Sequence, residues 1–298
     1  MFFFYYAVSR HNVFTDIYRY FPAFCHRFYR FFLWTEACSR YGCCKSAQFR
    51  YICASLIFHV LADKSFQIDA YSQLAIGGAF VVVFSGILAW PVAKFMGFDV
   101  KTFVPPMMFS NSGNIGLPLA LFAFGEQALP AAVMLFIVEN TLHFSVGMKM
   151  MDKKISVLSI VKIPMVSATI LGLGLSLSGW TLPEVLTISI EMLGMVSIPL
   201  MLFSLGVRLT SVNLQDWKIG LVGAIICPAT GIILVLLIAP FLNLNELQYS
   251  QLLIFGVLPP AVLNFMVAEK YNQDPKQVAS IVLLGNLGSL VTIPAVLY

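Results

Sequence analysis

The 298 residues predict an all-α polytopic membrane protein, and three observations carry that reading. Hydrophobic residues make up 59% of the chain and charged residues only 11%, whereas roughly a quarter of the residues in soluble domains are charged. From residue 72 onward, apolar runs follow one another with short polar breaks, each long enough to cross a hydrocarbon core of about 30 Å as roughly 20 residues of helix. Every second break is basic, which is the alternation that cytoplasmic loops impose on a multi-pass chain.

Hydropathy and turn signals place spans near 72–96, 102–124, 129–148, 155–177, 183–207, 217–240, 248–269 and 277–298. Lys94 and Lys101 flank the first break. Lys149, Lys153 and Lys154 mark the third, Arg208 and Lys218 the fifth, and Lys270 and Lys276 the seventh. The breaks at 125–129, 178–182 and 243–249 contain no Lys or Arg. The expected orientation puts the basic loops in the cytoplasm and the C-terminus outside, in the inner (plasma) membrane. The net charge of +4 is thereby explained by topology and calls for no nucleic-acid partner.

Two spans are interrupted. "SNSGNIGLPLALFAFG" (110–125) carries Asn111, Asn114 and Pro118, and "GVLPPAVLNFMVAEKYN" (256–272) carries Pro259, Pro260 and Asn264. Pro118 lacks an N–H and clashes with the preceding turn, so carbonyls near Asn114 lose partners while Gly113 and Gly116 ease unwinding. An opened helix in hydrocarbon survives only when buried in protein or lining a wet cavity. Half-helix N-termini suit a carboxylate and half-helix C-termini a cation, and the asparagines can donate or accept without a buried full charge. The competing explanation is packing: small residues bring helices close, and asparagines can be interhelical glue. The two interrupted spans run in opposite directions, and each precedes a span with an asparagine, Asn140 after Pro130 and Asn286 after Pro275. Paired interruptions in inverted halves point to a secondary transporter's binding site.

The second half holds five spans, so symmetry demands two more before residue 72. Residues 1–52 supply none, because Arg19, Arg27, Arg30, Arg40 and Arg50 make crossing expensive. Six of the seven arginines precede residue 51, and ten of the eleven lysines follow it. A basic aromatic membrane-surface segment or a fast-evolving terminus would explain this, but a frame-shifted or misassigned translation explains the abrupt change better. The expected organisation is therefore an anomalous segment (1–52), the remainder of a first inverted repeat (53–150) and a second repeat (151–298). No basic n-region precedes an apolar core, so no signal peptide is evident. Five of the six cysteines lie in the first 53 residues without a CxxC pair, and they support no zinc site.

Together with "SIPLMLFSLGVRL" (197–209), the two interrupted motifs resemble the auxin efflux carrier family, whose bacterial members include malonate and malate permease-like transporters. The resemblance covers roughly residues 54–298. It implies ten spans in two inverted five-helix repeats whose fourth and ninth spans cross at prolines near the midplane. Pro118 and Pro259 or Pro260 would then mark the crossing, with Asn111, Asn114, Gly116 and Asn264 as substrate contacts. The first repeat departs from this pattern at its N-terminus, and the central loop at 150–155 is short.

Glu139 and His143 are an (i, i+4) pair at mid-span, a depth at which ionisable residues suggest function. With Asn140 and Asn286 they are candidates for coupling, and a structural hydrogen bond of Glu139 is the equal alternative. Glu191 is a weaker vestibule candidate, Lys162 a snorkelling anchor, and Glu269 and Lys270 are end charges. "GLGLSLSG" (172–179) lacks a βαβ context, and no P-loop, HExxH or GxSxG occurs. The expectation is a non-enzymatic secondary transporter of a small organic anion, a dicarboxylate or auxin-like carboxylate by resemblance. Expected partners are the lipid bilayer, an H+ or Na+ coupling ion and a second copy in a homodimer, with no cofactor or metal. Transport of another substrate class, or an inactive truncated or frame-shifted paralogue, is the alternative.

Overall fold

A computed structural model describes residues 43–62, 68–151, 161–178, 180–209 and 216–297. The described residues are helical throughout, apart from connections and one isolated backbone bridge. In chain order the helices are α1 (Cys43–Ala62), α2 (Ile68–Met96), α3 (Val100–Met108), α4 (Leu117–Phe124), α5 (Leu129–Leu142), α6 (Met148–Met151), α7 (Pro164–Ser178), α8 (Glu184–Leu209), α9 (Trp217–Ile238), α10 (Glu246–Val257), α11 (Val262–Lys270) and α12 (Pro275–Leu297). Wide, π-helical turns at Ser112–Gly116 and His143–Gly147 lead into α4 and α6.

Among the described residues, four stretches are long and apolar enough to cross a membrane: Asp69–Met96, Glu126–Met151, Trp217–Phe241 and Pro275–Leu297. The spans expected at 102–124 and 248–269 are each divided, α3 from α4 and α10 from α11. The span expected at 155–177 is described only from residue 161. The arginine-rich reading of residues 1–42 lies outside the described residues. The chain divides into two compact units, Met1–Arg50 and Tyr51–Tyr298. Helix α1 runs through the boundary placed at residue 52, because no proline or glycine interrupts the sequence after Gly42.

Within the second unit, α9 and α12 form the most extensive helix pair, and α2 packs on α3, α5, α9 and α10. The central core unites Phe103, Phe109, Leu252, Leu258 and Ile281, all almost fully buried. Two backbones touch where Gly231 of α9 meets Gly256 of α10: a Cβ on Gly256 would lie 2.9 Å from the Gly231 carbonyl oxygen. Only glycine fits such an approach, which is a common device where helices lack a hydrophobic drive to associate. The outward side chains are strongly apolar, including Ile170, Leu171, Leu177, Val185, Met192 and Leu193 of α7 and α8. That surface would aggregate in water and suits hydrocarbon.

Caps fix the far ends of the divided spans. Asp99 accepts from the Thr102 backbone N–H at 2.9 Å to start α3, and Gln273, just beyond α11, donates to the same Asp99 carboxylate at 2.8 Å. Asn245 and Gln248 form a reciprocal capping box at the start of α10, and Gln248 Nε2 also donates to the Ala70 carbonyl at 2.8 Å. The start of α3 thus lies beside the end of α11, so the two divided spans run antiparallel.

Candidate functional site

Between α3 and α4 the chain leaves the helix at 109–111, extended at Phe109, and between α10 and α11 it leaves the helix at 258–261, extended at Ala261. The two breaks meet. Ser110 and Pro260 form an antiparallel bridge. The Asn111 N–H donates to the Pro259 carbonyl at 2.7 Å, and the Ala261 N–H donates to the Phe109 carbonyl at 2.9 Å. A backbone group without a partner in hydrocarbon costs several kcal/mol. Each break supplies the partners that the other has lost, so neither would be stable alone.

Three asparagines pin this crossing from the side. Asn264 Nδ2 donates to the Phe109 carbonyl at 2.9 Å and to the Ala261 carbonyl at 3.1 Å. Asn286 Nδ2 donates to the Pro260 carbonyl at 3.0 Å and to the Val282 carbonyl at 2.7 Å, while its Oδ1 accepts from Asn111 Nδ2 at 3.0 Å. All three are buried. Gly285, beside Asn286, leaves room for the proline: a Cβ there would lie 2.5 Å from Pro260 Cδ.

The first break is also held from α5. The Ser112 hydroxyl donates to the Glu139 carboxylate, and the backbone N–H groups of Ser112 and Ser110 face the same carboxyl. The His143 ring stacks on Phe109, with centroids 4.1 Å apart and planes 6° from parallel. Glu139 and His143 are 2% and 3% exposed, so each uses its buried side chain on the break rather than on water.

The structure therefore brings Asn111, Asn264, Asn286, Pro259, Pro260, Glu139 and His143 to one place. Other residues singled out from the sequence lie elsewhere. Pro118 does not mark the crossing. It is the second residue of α4, where proline fits, and its missing N–H falls just after the wide turn at Ser112–Gly116. Asn114 is half-buried on that turn, and Gly116 faces Leu258. Asn140 turns away and donates to the Phe136 carbonyl of its own helix at 2.8 Å. Glu191 and Lys162 are exposed.

Several participants were not anticipated: Phe109, Ser110, Ser112 and Gly285. Only Gly285, next to Asn286, left a sequence signal. Two buried polar atoms at the crossing, Ser110 Oγ and Asn264 Oδ1, have no hydrogen-bond partner among the described residues. Half-helix C-termini with these acceptors suit a cation or a ligand donor, and the N-termini of the turn at Ser112 and of α11 suit an anion. Among the described residues, no group of three His, Cys, Asp or Glu side chains is placed to hold a metal.

A helical membrane bundle in which two divided spans cross through buried backbone is the architecture of a membrane transporter. Residues 153–297 match the family described as membrane transport protein, so the auxin efflux carrier resemblance drawn from the motifs is borne out. An uncharacterized transporter from Methanocaldococcus jannaschii is 28% identical over 264 residues, covering 80% of this chain and 83% of the relative. A Rhizobium meliloti protein, provisionally named a malonate transporter, is 26% identical over 206 residues, covering 64% of each chain. The family and both relatives are transporters rather than enzymes.

Proposed function

We propose that this protein is a secondary transporter of a small organic anion, working by alternating access around the crossing of the two divided spans. The observation that carries this reading is the mutual pairing of Phe109–Asn111 with 258–261. It opens helix termini of both polarities inside the bundle, where an unsatisfied backbone would otherwise be prohibitive. In this reading Asn114, half-buried on the turn at Ser112–Gly116 and not used as a pin, is the side chain that meets the substrate carboxylate.

In this reading residues 53–150 and 151–298 are two inverted repeats, the crossing spans with their neighbours form the moving core, and the remaining helices scaffold it. The relative's name supports malonate as the first substrate to try. Glu139 is the group through which a proton would couple, because its carboxyl sits directly on the first break. The basic loops face the cytoplasm and the C-terminus lies outside, by the distribution of lysines.

The test is uptake of labelled malonate into proteoliposomes under an imposed proton gradient, with Asn114→Ala in parallel. The expected result is uptake by the wild-type chain and a loss of at least tenfold in the variant at an unchanged melting temperature. Equal uptake by the two proteins would remove Asn114 from the site. No uptake of malonate or of other small carboxylates by correctly inserted wild-type protein would overturn the transport reading.

A further inference from the structure

Gln251 of α10 has chemistry that the crossing does not use. It is 2% exposed, yet Nε2 has no hydrogen-bond partner among the described residues. The side chain lines a cavity of about 10 Å³ together with Ser112, Gly116, Leu135, Ile254 and Leu258, close to the room required by one oxygen-sized occupant. A buried donor without an acceptor is unfavourable, and an apolar side chain of the same size would pack there without that cost.

Gly116 also lines the cavity, and a Cβ on it would stand 3.1 Å from Leu258 Cδ1 and 3.6 Å from Ser112 Cβ, two other lining residues. The cavity also abuts the crossing, because Ser112 follows the first break and Leu258 begins the second. The Ser112 hydroxyl is already committed to Glu139. Gln251 is therefore the cavity's open side-chain donor, and what it lacks is an acceptor oxygen from outside the protein.

We propose that Gln251 is a specificity-determining contact for the transported acid, donating its amide N–H to a second oxygen function of a ligand whose first carboxylate is held at the crossing. The inference rests on the transport reading above. It makes the site selective for short dicarboxylates over monocarboxylates of the same length, since only the former can reach both donors.

The experiment compares malonate with propionate in proteoliposomes containing the wild-type chain, Gln251→Met and Gly116→Ala, with melting temperatures measured in parallel. Expected are a wild-type KM for malonate at least tenfold below that for propionate, a malonate KM raised at least tenfold in Gln251→Met, and an unchanged propionate KM. The melting temperature of Gln251→Met should be equal or higher, because the variant removes an unpaired donor. Gly116→Ala, which adds a methyl to the cavity lining, should show the same loss of malonate preference. Equal wild-type KM values for the two acids, or an unchanged malonate KM in Gln251→Met, would overturn the proposal and leave the cavity as the seat of a trapped water. A lowered melting temperature with both acids affected alike would also overturn it, in favour of a packing role. Failure of the wild-type chain to take up either acid would instead bring down the transport reading itself.

Discussion

The two breaks face each other and solve one backbone problem with different chemistry. The second, at 258–261, leads directly into regular helix α11 and is braced by neutral amides alone, Asn264 from its own helix on the Ala261 carbonyl and Asn286 from α12 on the Pro260 carbonyl. The first, at 109–111, shares those amides, through Asn264 on the Phe109 carbonyl and Asn286 on Asn111 Nδ2, but leads into a wide turn and is braced in addition from α5 by a carboxylate on Ser112 and an imidazole stacked on Phe109. The asymmetry teaches that the second break rests on neutral amides alone, whereas the first carries in addition a buried carboxyl, Glu139, the group to which the proposed proton coupling is assigned.

The contrast is broken most severely at Asn286. Asn286→Ala removes three hydrogen bonds and strands Asn111 Nδ2 and the Pro260 carbonyl. With each of the two stranded buried groups costing about 1–3 kcal/mol, the expected loss of stability is about 2–6 kcal/mol. It should appear as a lower melting temperature in lipid nanodiscs, with uptake lost alongside.

Glu139→Gln sharpens the contrast. The amide oxygen can still accept from Ser112, so stability should change by no more than about 1 kcal/mol, while the dependence of uptake on an imposed proton gradient should flatten. Retention of the full gradient dependence would show that Glu139 is a brace and nothing more. The smallest effect is expected at Asn140, whose amide serves only its own helix. Asn140→Ala should shift stability by about 0.5 kcal/mol or less and leave uptake unchanged, whereas a large loss would mean that the first break relies on an amide of α5 as well.

The span pattern was legible because lipid imposes a long apolar run on each helix, and α2, α9 and α12 coincide with the runs read from composition. The division of two spans was also legible, from the prolines and glycines of 110–125 and 256–272. The position of the first division was not. Pro118 drew attention downstream, but the chain opens at Phe109–Asn111, where no proline or glycine stands, because the replacement hydrogen bonds come from Pro259 and Ala261 some 150 residues away. A non-local partner leaves no local signature. Of the adjacent candidates Glu139 and Asn140, both named from the sequence, only Glu139 reaches the break, for a geometric reason. Counting from Pro130 and Pro275 aligns Asn140 with Asn286, but one residue turns a helix by about 100°, and it is the preceding Glu139 that faces the break. Gln251 gave no sequence signal, since a glutamine in a span becomes informative only when its donor is seen to lack a partner.

The central claim, that the two breaks are in contact, is tested most directly by cross-linking Ser110→Cys with Pro260→Cys in native membranes, in a chain whose other cysteines are replaced. Residues opposed in an antiparallel bridge have Cα atoms about 4.5–5.5 Å apart, within the range that a disulfide spans. Mild oxidation should join the two cysteines in most molecules, with an Asp99→Cys and Gln273→Cys pair, joined by a bismaleimide long enough to replace the two side chains, as a control for the adjacent helix ends. A control pair that cross-links while the Ser110 and Pro260 pair does not would contradict the crossing, and with it the site on which the transport reading is built.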